Sequence, residues 1–198
     1  MNEINQLGIQ SPEKNKREVK NAWLFDVDGV ITSLKEKKVL EIELFDELIA
    51  RLEVGEPVAF NTGRDLDFVQ TRVIDELQKR VDKKLLKNLF AVAEKGTLWA
   101  AFGPSGMGKI NIDKNISVSE TVKNRVRKLI IREFSDWMFF DEKKQTMISV
   151  EMNHGVDLEE FGKKRDGLVK QFSDILEEFG VQDKYVVDPN AIAIDIQS

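Results

Sequence analysis

Three short apolar runs, separated by segments with helical periodicity, constrain the fold of the first half of this chain most strongly. The runs occupy residues 23–25, 57–61 and 89–93. Apolar stretches of this length are typical of strands that are covered on both faces, as in a parallel sheet. Between them, residues 40–52 and 66–77 place apolar side chains three or four positions apart, which predicts amphipathic helices. The order strand, helix, strand, helix, strand predicts an α/β core over residues 21–103.

The second half follows a different pattern. The run 103–108 is rich in glycine and proline, and this turn signal predicts a linker over residues 104–116. Beyond it the periodicity changes in the order α-β-β-α-β-β over residues 117–198, which predicts a separate α/β domain with helices on one face of a sheet. Residues 1–20 show no periodicity, and we expect them to form a flexible tail.

The ends of the predicted helices carry capping residues. Asp65 is suitably placed to cap the second helix of the first half. Ser117 and Glu120 fit a capping box at the first helix of the second half. The last helix is expected over residues 157–179, with Gly180 just beyond its C-terminus.

Composition excludes several classes of protein. The 198 residues include 35 acidic and 30 basic side chains, a net charge of −5, which argues against a nucleic-acid-binding surface. The absence of cysteine excludes a disulfide framework, a thiolate zinc site and a cysteine nucleophile, and the single histidine argues against a His-cluster metal site or a His-based triad. No run approaches the roughly 20 apolar residues that a membrane helix needs. We therefore expect a cytoplasmic protein without membrane or nucleic-acid partners.

The strongest chemical signal is an Asp-x-Asp-Gly motif at the end of the first apolar run. Asp26 and Asp28 leave a buried strand at its carboxyl end, where open α/β sheets bind their ligands. One carboxylate can attack phosphorus and the other can exchange protons with the leaving group and with water. Clustered carboxylates also suit Mg²⁺, which prefers oxygen ligands. The alternative is an acidic turn in which Gly29 supplies a tight bend.

The second apolar run ends in Thr62, Gly63 and Arg64. A hydroxyl group, neighbouring amides and a guanidinium can together hold a phosphoryl group. Because consecutive parallel strands end side by side, we expect this segment to lie beside Asp26 and Asp28.

Two other motifs are weaker. Residues 103–109 match the first seven positions of a nucleotide-binding P-loop, but Ile110 stands where a hydroxyl should bind the metal, and no helix start follows. His154, which precedes Gly155, is interpreted as a turn residue rather than a ligand.

In combination, these motifs resemble the phosphohydrolases of the haloacid dehalogenase superfamily. Residues 25–32 (Phe-Asp-Val-Asp-Gly-Val-Ile-Thr) resemble the first motif of that superfamily, and residues 60–64 (Phe-Asn-Thr-Gly-Arg) resemble the second. Residues 93–97 resemble the turn that precedes an inserted α/β cap, although Lys95 stands where an asparagine is usual. The element order of the second half matches that cap in the branch of sugar-phosphate phosphatases and phosphomannomutases. The resemblance implies a Rossmann-like core followed by a cap domain.

The resemblance also implies roles for individual residues. Asp26 would be the nucleophile and a Mg²⁺ ligand, and Asp28 would be the general acid/base and give its backbone carbonyl to the metal. Thr62, Gly63 and Arg64 would bind the phosphoryl group of a small-molecule phosphate ester. Basic residues of such caps often reach the substrate, so Lys143 is a candidate contact, as is its neighbour Lys144. A solvated turn is the alternative interpretation of both lysines.

The third and fourth motifs of the superfamily, a lysine and an acidic pair that follow the cap, have no counterpart before Ser198. We therefore expect a fragment of a longer phosphatase, with an incomplete core edge that promotes self-association and with little activity of its own. Two other functions stay open: a sugar phosphomutase, and a non-catalytic binding or regulatory protein of the same fold.

Overall fold

The computed structural model describes residues 21–33, 35–39 and 41–198. The predicted tail, residues 1–20, lies outside the described residues. The described chain forms two β-sheets, each of which packs its own cluster of buried apolar side chains.

The first sheet is built from the first half of the chain. Its elements, in chain order, are β1 (Trp23–Asp26), α1 (Ile42–Glu53), β2 (Val58–Asn61), α2 (residues 66–78, with a π-helical turn at Gln70–Ile74), a 3₁₀ helix (Lys83–Asn88), β3 (Leu89–Ala93), a 3₁₀ turn (Glu94–Gly96), β4 (Leu98–Gly103) and β5 (Gly106–Ile112). The strand order is β1-β2-β3-β4-β5. Strands β1, β2 and β3 are parallel, as the alternation of strands and helices predicts, and β4 and β5 are antiparallel additions.

The predicted linker over residues 104–116 is wrong for most of its length, because β5 lies within it and pairs with β4. Gly103 pairs with Gly106 across a tight turn, and Gly106 has a φ of 102°, a conformation that glycine adopts without strain. The glycines therefore form a hairpin turn rather than a break between domains. The same hairpin excludes a P-loop, which requires a helix after its glycine-rich segment.

The second sheet belongs to the second half of the chain, and its element order confirms the predicted α-β-β-α-β-β. The elements are α3 (residues 120–134, ending in a π-helical turn at Ile130–Phe134), β6 (Met138–Phe140), β7 (Ile148–Met152), α4 (Leu158–Glu178), β8 (Val186–Pro189) and β9 (Ala193–Gln197). The strands are antiparallel in the order β6-β7-β9-β8. Helices α3 and α4 bury their apolar sides against one face of this sheet.

Two of the three predicted helix ends are confirmed. Asp65 caps α2 by accepting a hydrogen bond from the Phe68 N–H at 2.8 Å, and Gly180 has a φ of 63° just after α4. The capping box at Ser117 is wrong, since α3 begins at Glu120 and is capped by Ser119. Ser117 is held elsewhere, because its hydroxyl donates to the Asp113 carbonyl and its carbonyl accepts from Tyr185.

The two faces of the first sheet differ in their surroundings. One face packs against α1 and α2 and is fully buried at Val58, Leu89 and Ala91. The opposite face carries Leu24 and Trp99, whose exposed fractions are 66% and 41%. Among the described helices, none is long and apolar enough to cross a membrane.

Candidate active site

The three parallel strands bring three predicted turns to one edge of the first sheet. β1 ends at Asp26, Thr62 follows β2, and Glu94 follows β3. The register aligns Asp26 with Asn61 and Asn61 with Val92, so the turns lie side by side. This is the carboxyl edge at which α/β sheets bind ligands.

A cavity of about 200 Å³ lies between this edge and the second sheet. The first half of the chain contributes Asp28, Gly63 and Arg64 to its wall. The second half contributes the remaining residues, which are Lys144, Ser149, Glu151, Asn190, Ile192, Ala193 and Asp195. The cavity therefore combines the predicted phosphate-binding segment with the underside of the predicted cap.

Asp28 and Arg64 form the central ion pair of the cavity. Arg64 donates from Nε to Oδ2 at 3.1 Å and from Nη2 to Oδ1 at 3.2 Å, while the Lys37 ammonium lies 3.4 Å from Oδ1. Partial burial alone would raise the pKa of Asp28, but the hydrogen bonds and charge of Arg64, aided by Lys37, outweigh it and lower that pKa below its ordinary value. Asp28 is thus held as a carboxylate.

Asp26 and Thr62 lie beside the cavity rather than in its wall. The Asp26 side chain is exposed, and its Oδ1 accepts a hydrogen bond from the Val27 N–H at 2.7 Å. Thr62 is buried, and its hydroxyl accepts from the Arg64 N–H at 3.1 Å. Of the site residues predicted from sequence, Asp28, Gly63 and Arg64 therefore meet in one cavity, while Thr62 supports the loop that carries Arg64.

The two candidate lysines differ in position. Lys143 is 70% exposed and lies outside the cavity wall, with its ammonium 3.9 Å from Asp67 Oδ2. Lys144 is 8% exposed and donates a 2.6 Å hydrogen bond to the Gly63 carbonyl inside the cavity. Adjacent residues of a turn point in different directions, and the sequence contains no signal that distinguishes them.

Ser149, Glu151 and Asp195 form a polar wall that sequence reasoning missed. Ser149 donates to Asp195 Oδ1 at 2.7 Å across the β7–β9 pair. Burial raises the pKa of Glu151, the Asp141 and Asp195 carboxylates add to the rise, and Arg64 and Lys144 oppose it. The signal was available in β7, where Ser149 and Glu151 alternate with the core residues Ile148 and Val150.

Contacts between the two halves of the chain flank the cavity. Lys95 lies 2.9 Å from Asp188 Oδ2 and 3.0 Å from Asp195 Oδ2. Glu94, which is fully buried, accepts hydrogen bonds from residues 145 and 146 of the second half. Sequence reasoning assigned no role to Glu94, although its place at the carboxyl end of the third parallel strand is a signal of the same kind as Asp26 and Thr62.

The donors at this edge suit a hard cation only in part. Within the residues that the structure describes, no group of three or more His, Cys, Asp or Glu side chains is arranged to hold a metal ion. Mg²⁺, however, is usually bound by one or two carboxylates together with water and substrate phosphate. Asp26 and Asp28 are the two carboxylates at this edge, and the Asp28 carboxylate is paired with Arg64 and Lys37.

The fold is a Rossmann-like core with parallel strands followed by an α-β-β-α-β-β unit, which confirms the predicted fold class. No model of a known protein family matches the chain, and no curated protein matches its sequence.

Solved structures that share this fold include trehalose-6-phosphate phosphatases and a nucleotidase. The C-terminal domain of the C. albicans trehalose-6-phosphate phosphatase matches with a TM-score of 0.63 and 12% identity, over 89% of this chain and 56% of that one. The Plasmodium falciparum IMP-nucleotidase matches with a TM-score of 0.60 and 12% identity, over 89% and 46%. A trehalose-6-phosphate phosphatase related protein matches with a TM-score of 0.54 and 13% identity, over 89% and 67%. The present chain thus spans about half the length of the first two, and at these identities the likeness establishes the fold.

Proposed function

We propose that this chain carries part of the active site of a Mg²⁺-dependent phosphohydrolase that acts on phosphorylated sugars or related metabolites. The observation that supports this most is the convergence of Asp28, Gly63 and Arg64 in a cavity beside Asp26, at the carboxyl edge of the parallel strands. The resemblance of both motifs to the haloacid dehalogenase superfamily favours the same function.

In the proposed reaction, the Asp26 carboxylate attacks the phosphorus atom and forms an acyl phosphate as the ester P–O bond breaks. Asp28 gives a proton to the leaving oxygen and later takes one from the water that hydrolyses the acyl phosphate. Since Arg64 holds Asp28 as a carboxylate, the incoming phosphate must first draw the guanidinium away. Asp28 can then take from bulk solvent the proton that it transfers to the leaving oxygen.

Asp26 and the backbone carbonyl of Asp28 would hold the Mg²⁺ ion, which when bound supplies positive charge next to the phosphate. The polar wall of Ser149, Glu151 and Asp195 faces the place of the leaving group. Carboxylate and hydroxyl groups accept hydrogen bonds from the hydroxyl groups of a sugar, and this chemistry supports a polyhydroxylated leaving group.

Phosphate release from hexose monophosphates tests the proposal. We expect Asp26→Asn to abolish release and Asp28→Asn to reduce it strongly, in the 198-residue chain or in the longer protein if the chain is part of one. Unchanged release in Asp26→Asn would refute the proposal. Recovery of an isomeric hexose phosphate instead of inorganic phosphate would identify a phosphomutase.

A non-catalytic binding protein of the same fold is the second candidate. The observation that favours it is the pairing of Asp28 with Arg64 and Lys37, in which both carboxylate oxygens already have cationic partners. Saturable binding of a hexose phosphate without turnover, at all pH values and Mg²⁺ concentrations, would support this alternative.

A further inference from the structure

Glu94 is a buried carboxylate that joins the two halves of the chain beside the cavity. Its Oε1 accepts a hydrogen bond from the Gln145 N–H at 2.9 Å, and its Oε2 accepts from the Thr146 N–H at 2.7 Å and the Thr146 hydroxyl at 2.5 Å. The side chain is fully buried, and the backbone of Glu94 has a φ of 48°, in the left-handed region that non-glycine residues seldom adopt. Such backbone strain persists only where the surrounding contacts hold it in place.

The residue next to this contact is Lys144, whose ammonium group enters the cavity. It donates to the Gly63 carbonyl at 2.6 Å, which uses one of its three N–H bonds. In the part of the chain that the structure describes, no carboxylate lies within 4.0 Å of the Lys144 ammonium. A nearly buried ammonium group with unused donors at the wall of a polar cavity favours an anionic ligand.

The position of Lys144 favours a contact with the phosphate of the substrate over a contact with the leaving group. Its contact atom, the Gly63 carbonyl, belongs to the loop after β2 that also carries Arg64. The acidic wall of Glu151 and Asp195 belongs to the second sheet, and these carboxylates face the remainder of the cavity.

We propose that Lys144 binds the phosphoryl oxygens of the substrate and that Glu94 is a positioning residue, which fixes Lys144 through the backbone amides of Gln145 and Thr146. This inference rests on the proposed function. It names Lys144 as a positive charge that binds the phosphate in the proposed active site. The Glu94 side chain does not line the cavity, and its hydrogen bonds to Gln145 and Thr146 connect it to the turn that carries Lys144.

Binding of inorganic phosphate, measured by isothermal titration calorimetry, tests the role of Lys144 because this probe has no leaving group. Loss of one charge-assisted hydrogen bond should weaken phosphate binding about tenfold to a hundredfold in Lys144→Met. Lys163→Met is the matched control, since Lys163 is 70% exposed on α4 and pairs with Glu159. We expect the control to bind phosphate as the wild type does. An equal loss in Lys143→Met would overturn the assignment to Lys144.

A double-mutant cycle tests the role of Glu94. Glu94→Gln keeps one oxygen acceptor but removes the charge, and it should weaken phosphate binding when Lys144 is present and have no further effect in Lys144→Met. The midpoint of thermal unfolding is measured for the same variants. A purely structural role would lower that midpoint and leave phosphate affinity unchanged in both backgrounds, which would overturn the positioning role.

A comparison of two ligands distinguishes a failure of this inference from a failure of the proposed function. Binding of a hexose 6-phosphate is compared in the Asp26→Asn background, which prevents turnover. If Lys144→Met weakens binding of that ester but leaves inorganic phosphate binding unchanged, Lys144 contacts the leaving group and the inference is overturned while the function stands. If the wild-type protein binds neither compound and releases no phosphate, the proposed function itself fails.

Discussion

Arg64 engages both carboxylate oxygens of Asp28, with Nε 3.1 Å from Oδ2 and Nη2 3.2 Å from Oδ1. In this arrangement Asp28 is ionised and cannot donate a proton. A bidentate guanidinium is also the side chain best suited to a phosphate. In the proposed mechanism, this ion pair is therefore present before substrate binds. The substrate phosphate would then compete for Arg64 and release Asp28.

Arg64→Met should raise the pKa of Asp28, because partial burial remains as the largest influence and only Lys37 still opposes it. In the wild type, the lowered pKa of Asp28 contributes stability above its pKa in the unfolded chain, and this contribution is lost as the pH falls through the folded-state pKa. The variant should lose part of that acid-sensitive stability. Carbon-13 NMR titration of the Asp28 carboxyl group and urea unfolding between pH 2.5 and pH 6 measure both effects.

The control for this prediction is Arg132→Met. Arg132 is 74% exposed, pairs with its neighbour Glu133 and does not line the cavity. It should leave the Asp28 titration unchanged, and an unchanged titration in Arg64→Met as well would contradict the prediction.

Glu151→Gln should increase stability at neutral pH. Burial raises the pKa of Glu151, so the Glu151 carboxyl group binds its proton more tightly in the folded state than in the unfolded chain. Stability from this group is present below the unfolded-state pKa and falls as the pH rises through the folded-state value. Glutamine does not ionise, so the variant does not lose this stability as the pH rises. Urea unfolding between pH 4 and pH 8 should therefore show a free energy of unfolding that depends less on pH than in the wild type. Glu177→Gln, at an exposed position of α4, is the control, and equal pH profiles for all three proteins would refute the prediction.

Much of the fold could be predicted because local patterns and tertiary contacts agree. The run Leu89–Ala93 forms β3 with the predicted bounds, and Asp65 caps α2 through the expected hydrogen bond. The motifs at the ends of β1 and β2 also lie close together as predicted, since parallel pairing brings strand ends to one edge. In these places the local sequence favours the same secondary structure that the tertiary contacts require.

The errors arose where contacts distant in sequence decide between equivalent local options. Ser117 and Ser119 can each cap a helix, and in the fold Ser117 contacts Asp113 and Tyr185 while Ser119 caps α3. Lys143 and Lys144 are the same residue type, and in the fold the turn packs against Glu94 with Lys144 directed inward. Glycines near Gly106 indicate a turn, but the pairing of β5 with β4 decides that the turn is a hairpin.

Glu94→Ala should destabilise the contact between the two halves of the chain. The substitution leaves the amides of Gln145 and Thr146 without their acceptor, and leaving the buried Thr146 donor unpaired costs about 1–3 kcal/mol. Urea unfolding should shift to lower concentration. In single-tryptophan variants, the unfolding transition reported by Trp137 in the second half should then separate from that reported by Trp99 in the first. Glu177→Ala is the control, and coincident, unshifted transitions in Glu94→Ala would contradict the role assigned to this contact.

The open face and edge of the first sheet should cause self-association. β1 pairs with β2 on one side and has no strand partner on the other among the described residues, and unpaired edges with apolar side chains promote association. Leu24, on β1, is 66% exposed on the face that also carries Trp99. Leu24→Lys should therefore shift the weight-average sedimentation coefficient toward that of a monomer over a concentration series. Ile131→Lys is the matched control, since Ile131 is 64% exposed but lies on α3 of the second half. A wild-type protein that sediments as a compact monomer at every concentration would rule out association through this edge.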